Sequence, residues 1–96
     1  MIFKVQYPNG EIYEGKWSQH YKREGPKGKM LYANGDVYLG DWAKDKRQGQ
    51  GKMNFVNGSV FTGEFKDDNL YSGKLIDKHG NEYSNIRDKG GYFLRG

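Results

Sequence analysis

The chain has 96 residues, room for one small domain or one run of short repeats. With 29% charged residues, a net charge of +4 and a mean hydropathy of −1.04 it reads as a soluble, cytoplasmic chain, and its longest uncharged run, 53–63, is too short to cross a bilayer as a helix. Lys4 and Pro8 interrupt the apolar patch near the N-terminus, so no secretory signal is read there, and the absence of cysteine excludes disulfide and thiolate chemistry.

Glycine is 15 of 96 residues and aromatics are 16%, a pairing that predicts many short strands joined by tight turns. An apolar fraction of 34% is low for a multilayer core and suits a thin, elongated structure. The first predicted hairpin has Val5 and Tyr7 before the turn Asn9-Gly10, then Tyr13, Gly15 and Trp17 on one face of the outgoing strand. A connector, Ser18–Lys27, holds Pro26. The second hairpin repeats the plan with Met30, Tyr32, Asn34-Gly35, Tyr38, Gly40 and Trp42, and a second connector follows, Ala43–Gln50. The third has Met53, Phe55, Asn57-Gly58, Phe61, Gly63 and Phe65. The fourth copy keeps Leu75, His79-Gly80 and Tyr83 but has Asp77, Asn85 and Arg87 at the other marked places.

The turn glycines stand at 10, 35, 58 and 80, a spacing of 25, 23 and 22 residues, which makes this one single-domain repeat array over 1–96. The units run about 7–28, 32–51 and 55–73, with a degenerate 77–96. Asn-Gly between alternating apolar positions predicts turns in which both central residues take positive φ. The glycine between two rings leaves bare backbone on which a ring can lie. Because a lone hairpin is barely stable in water, the hairpins are expected to stack into one open antiparallel sheet of about eight strands, with Lys89–Gly96 as a last strand at its edge.

Tyr13-Glu14-Gly15-Lys16-Trp17, Tyr38-Leu39-Gly40-Asp41-Trp42 and Phe61-Thr62-Gly63-Glu64-Phe65 resemble the core of the MORN repeat, and Gly49-Gln50-Gly51 resembles its Gly-x-Gly element. The first copy has Gly25-Pro26-Lys27-Gly28 there and the third only Tyr71-Ser72-Gly73. The resemblance covers residues 1 to about 84. It implies an all-β, elongated, twisted open sheet of successive β-hairpins. It also implies a structural and binding module, found beside catalytic domains in phosphatidylinositol phosphate kinases and some lysine methyltransferases, in junctophilins at membrane contacts and in cytoskeletal scaffolds.

Catalytic readings find little support. Gly10 to Trp17 nearly matches a phosphate-binding loop, but Trp17 stands where a magnesium-holding hydroxyl is needed, and the segment reads as a strand. Asn57-Gly58-Ser59 fits a glycosylation sequon and reads better as a hairpin turn. Glu14, Asp41 and Glu64 flank the core glycines on what should be a solvated face, and His20 and His79 fall in a connector and a turn. No catalytic set, metal site or cofactor is expected.

Two binding surfaces emerge instead. Tyr13, Trp17, Tyr38, Trp42, Phe61 and Phe65 form a periodic row, core in the first instance, whose exposed parts would make a groove for an apolar peptide or helix. Tyr21, Tyr71 and Tyr92 are further exposed-ring candidates. Positive charge concentrates in the connectors: residues 18–30 and 43–52 each carry +3, and the remainder −2. If the connectors project from one edge, Lys22, Arg23, Lys27, Lys44, Lys46 and Arg47 form a basic strip for anionic lipid or an acidic partner. The leading expectation is a non-catalytic scaffold for protein–protein interaction, with homodimerisation through a sheet edge or end. The alternative is peripheral binding to anionic phospholipid membranes. Nucleic acid is disfavoured, since the repeat explains the rings and +4 is a modest charge.

Overall fold

A computed structural model describes residues 2–86. It has eight strands: β1 (Phe3–Gln6), β2 (Ile12–Gly15), β3 (Gly25–Leu31), β4 (Val37–Ala43), β5 (Lys46–Asn54), β6 (Val60–Lys66), β7 (Asn69–Ile76) and β8 (Glu82–Ile86). They form one open antiparallel sheet in which spatial order equals chain order, so every connection joins neighbours. The molecule measures 40 × 22 × 21 Å. The all-β repeat reading of the sequence therefore holds. Arg87, Tyr92 and the expected strand at 89–96 lie outside the described residues.

The hairpin turns are built differently from the expectation. Only the glycine takes positive φ: 94° at Gly10, 100° at Gly35, 97° at Gly58 and 87° at Gly80. Tyr7, Tyr32, Phe55 and Asp77 each accept a hydrogen bond from that glycine's N–H at 2.9–3.0 Å and donate to the next residue's carbonyl at 2.8–2.9 Å. This is the three-residue loop in which a left-handed glycine forms a bulge. The asparagine serves through its side chain. Asn9, Asn34 and Asn57 each accept from the backbone N–H two residues on, at 3.0, 2.9 and 2.8 Å. In the fourth copy Asp77 supplies this oxygen, to His79 and Asn81, both at 2.9 Å, so the turn survives the loss of asparagine.

Turns with two positive φ values do occur, at the other end of the strands. Lys44 and Asp45 have φ of 51° and 73°, and Asp67 and Asp68 have 49° and 73°. These tight turns join β4 to β5 and β6 to β7. The predicted connector Ala43–Gln50 is therefore mostly strand, and the meander runs without a true loop there. In the first connector, Trp17 bridges Arg23, and Ser18–Lys22 folds as one more bulged turn with Tyr21 (φ 61°) in the glycine's place.

One sheet face holds the core. Tyr13, Met30, Tyr38, Trp42, Met53, Phe61, Phe65, Leu70 and Leu75 are buried there, with Tyr7, Trp17, Tyr32, Phe55 and Tyr83 packed against them. The glycines make this possible. A Cβ on Gly28 would stand 2.6 Å from the Tyr13 hydroxyl, and one on Gly40 would stand 2.6 Å from that of Tyr38. Each tyrosine thus lies flat on bare backbone. The hydroxyls of Tyr13 and Tyr38 donate to the carbonyls of Lys16 and Asp41, both at 2.9 Å. Burial raises the pKa of both phenols, most of all Tyr38, so they stay neutral donors.

Candidate functional site

The six predicted groove rings form one edge-to-face chain. Tyr13 meets Trp17 (5.2 Å, 81°) and Trp42 (5.4 Å, 84°), Tyr38 meets Trp42 (5.3 Å, 90°) and Phe65 (4.9 Å, 81°), and Phe61 meets Phe65 (5.4 Å, 89°). Such contacts match the ring quadrupoles and add about 0.5–1.5 kcal/mol each beyond burial. Five of these rings are buried, Trp42 at 3% exposure and the others at 0%, so they offer no groove to a partner. Trp17 is the half-buried member.

The row is roofed by two of the residues assigned to the basic strip. The Arg23 guanidinium lies 4.8 Å from the Trp42 ring centre and 5.8 Å from that of Tyr7. Arg47 lies 5.5–5.9 Å from the rings of Tyr32, Tyr38 and Phe65. Each arginine is tied to the tight turn of the next unit. Arg23 Nε donates to Asp45 Oδ1 at 2.7 Å and its Nη2 to the Asp45 carbonyl at 3.0 Å. Arg47 Nε donates to Asp68 Oδ1 at 3.2 Å, and its Nη2 donates to the Asp68 carbonyl. The same carboxylate oxygens accept the backbone N–H of Arg23 (3.0 Å) and Arg47 (2.9 Å), which holds the left-handed aspartates in place.

Burial alone would lower the Arg23 pKa, but the Asp45 hydrogen bond and charge outweigh it and raise it. At Asp45 a raising effect of burial is outweighed by Arg23, and its pKa is lowered. Arg23 and Arg47 therefore face inward, and the strip reduces to Lys22, Lys27, Lys44 and Lys46, all exposed. Lys22 and Lys44 do share an edge, beside Glu24, whose carboxylate accepts the Lys44 N–H at 3.0 Å. The arginine roof was readable in principle, because Arg23, Arg47 and Leu70 all pair with the second aromatic of their unit.

Glycine-bedded rings in successive hairpins have a counterpart among known families. The MORN repeat model matches residues 27–37 and 38–60. Residues 27–60 carry MORN repeats. No curated protein matches the chain. The same pairing of ring and glycine continues outside the matched span, at Tyr13 with Gly15 and at Phe61 with Gly63 and Gly73, so this geometry extends to β2, β6 and β7.

The opposite face of the sheet is open and ordered in rows. Register places Ile12, Leu31, Val37, Asn54, Val60 and Ile76 side by side across six strands. The adjacent row runs Lys4, Glu14, Lys29, Leu39, Lys52, Thr62 and Lys74. Leu31, Leu39 and Ile76 are exposed, Leu39 at 45%. Four lysines thus recur at one repeat position beside a row that is aliphatic except at Asn54, a signal visible in the sequence as Lys4, Lys29, Lys52 and Lys74, each just before the residue opposite its unit's first ring. Lys74 also pairs with Glu82 at 3.1 Å. Glu14 lies within this row, while Asp41 and Glu64 lie one step further along their strands, so the three predicted carboxylates form no cluster.

Among the described residues no group of three or more His, Cys, Asp or Glu could hold a metal ion, and no helix is long and apolar enough to cross a membrane. His20 and His79 are exposed, as are Tyr21 and Tyr71. Residues 10–17 form a turn and β2, with no helix after them to present backbone N–H groups to a phosphate.

Proposed function

We propose that this chain is a non-catalytic scaffold that docks a protein partner on the sheet face opposite the rings. MORN repeats are typically non-catalytic binding modules. The observation that carries the reading is the pair of rows on that face: aliphatic side chains in register beside Lys4, Lys29, Lys52 and Lys74. Such a surface fits an amphipathic segment with apolar residues along one stripe and carboxylates along its flank. The geometry favours a protein over a flat membrane. Sheets twist by about 20–25° per strand, so roughly 130° separates β1 from β7, and the four lysines do not address one plane. Asp41 and Glu64 on the same face would also repel anionic headgroups.

The test uses a designed helical peptide with leucines on one stripe and glutamates beside it, titrated at two salt concentrations. Binding is expected to weaken with salt and to be lost in Lys29→Glu/Lys52→Glu, with the fold unchanged by circular dichroism. Peptide binding that ignores the charge reversal would overturn the reading. So would salt-sensitive sedimentation with anionic vesicles without peptide binding, which would make the same lysines a membrane contact.

A further inference from the structure

We propose that the outer edge of β1 is a self-association site, at which two copies of this chain pair antiparallel about a two-fold axis through Val5. The edge offers the backbone groups of β1, whereas the opposite face offers side chains to which β1 adds only Lys4 and whose test variants lie on β3 and β5, so this proposal and the scaffold reading stand or fall separately.

The backbone sets which groups are available. Tyr7 donates to the Glu11 carbonyl, and β1 and β2 then pair without a register shift. Hydrogen-bonded pairs alternate along an antiparallel ladder. Val5 and Phe3 therefore bond inward to Tyr13 and Gly15, and the N–H and C=O of Lys4 and Gln6 point outward. Among the described strands no other lies beyond β1 in the sheet.

Three symmetric registers could use those groups, and chemistry selects one. A pairing centred on Lys4 sets Lys4 directly opposite its own copy, a like-charge pair. One centred on Gln6 sets Lys4 opposite Pro8, which has no N–H to give. Centring on Val5 pairs Lys4 with the other copy's Gln6 twice over, uses all the outward groups of both, and ends the ladder at Pro8.

The side chains agree with that register. It sets Val5 against Val5 and Phe3 against Tyr7 on the aromatic face. Beside that row lies an open-sided, mostly apolar pocket of about 660 Å³ lined by Phe3, Val5, Trp17 and Tyr21. The pocket is where the ring ladder stops. Trp42 has tyrosines on both sides, whereas Trp17 has Tyr13 on one side and the pocket on the other. Phe3 occupies the place that Gly28 and Gly51 hold in later units, and 46% of it is exposed. Trp42 Nε1 donates to the Gly28 carbonyl at 3.0 Å, but buried Trp17 Nε1 has no partner, so it does not reach the equivalent Phe3 carbonyl. At the rim, Tyr21 is 86% exposed and held at φ 61°, a conformation that disfavours a tyrosine. A second β1 would fasten the first along its outer side and cover this pocket.

Val5 facing Val5 would be a non-hydrogen-bonded pair, with Cα atoms about 4.5 Å apart, within disulfide range. The chain has no cysteine of its own. Val5→Cys under mild oxidation is expected to give a covalent dimer, and Phe3→Cys, which faces Tyr7, is expected to give none. Sedimentation velocity of the unmodified chain should show a concentration-dependent dimer, and Lys4→Pro should abolish it, since proline on an outer edge leaves the inner ladder intact. A chain that stays monomeric at millimolar concentration with no Val5→Cys cross-link would overturn the proposal. Cross-linking through Phe3→Cys in preference to Val5→Cys would overturn the register and with it the proposal.

Discussion

The first two hairpins carry the same motif and end in different states. In β3–β4, Trp42 is buried, its N–H reaches Gly28, tyrosines flank it on both sides and Arg23 covers it. In β1–β2, Trp17 is half-buried, its N–H is unpaired, and one tyrosine meets it. The difference is position in the array. Each second aromatic is completed by the ring of the hairpin before it, so a unit's stability resides in its interface with its neighbour rather than in its own sequence.

The strongest way to test this contrast is to delete the two rings. Trp42→Ala should cost about 4 kcal/mol in urea unfolding, as large buried aromatics do, and Trp17→Ala roughly half that. Equal losses would erase the distinction between interior and terminal units.

Crowding the bed of an interior ring should come next. A Cβ on Gly40 would lie 2.5 Å from the Gly51 Cα and 2.6 Å from the Gln50 carbonyl, and backbone cannot swing aside. Gly40→Val should destabilise by about 3 kcal/mol. Gly10→Ala meets no atom within 4 Å and strains only its φ of 94°, so about 1 kcal/mol is expected. A thermal melt of the two variants side by side checks the order.

The tie between units should show in acid. The folded Asp45 carboxyl has a lowered pKa, so its stabilisation is present above the ordinary carboxylate range, near pH 4, and is lost as pH falls through the lower folded value. The melting temperature of the unmodified chain should therefore drop more steeply between about pH 4 and 2 than that of Asp45→Asn. Parallel curves would mean that the Arg23–Asp45 contact adds nothing.

The smallest effect belongs to the first unit's own turn. Tyr21→Gly should stabilise by about 0.5–1 kcal/mol, because glycine accepts the left-handed conformation there without a Cβ clash. A loss of stability would show that the Tyr21 ring contributes more to the first unit than its exposure implies.

Much of this was legible in the chain. Three Asn-Gly pairs and His79-Gly80 located four hairpins, and alternation about Gly15, Gly40 and Gly63 assigned the buried rings. The turn geometry was not legible. Asn-Gly suits both a two-residue loop with two positive φ values and a three-residue loop with one, and local sequence does not separate them. The doubly left-handed turns fell at Lys44-Asp45 and Asp67-Asp68, where the aspartate at the second position of each turn accepts the backbone N–H and the Nε–H of an arginine more than twenty residues away.

The candidate surfaces divided in the same way. Counting charge placed six cations in two connectors but could not say which way each side chain turned. Arg23 and Arg47 turn inward, since each can satisfy a carboxylate and a carbonyl while lying on rings, whereas Lys22 and Lys44 have no such planar match and stay in solvent.

By itself the sequence determined the period, the strand count and the residues that face inward, because these follow from local alternation and from glycine at fixed intervals. Only the tertiary structure decided that the rings are closed to partners, that lysines 4, 29, 52 and 74 share one row, and that Trp17 is left incomplete. Those outcomes depend on strand register and on which neighbour lies beside each unit, and both are set by contacts between residues far apart in the chain.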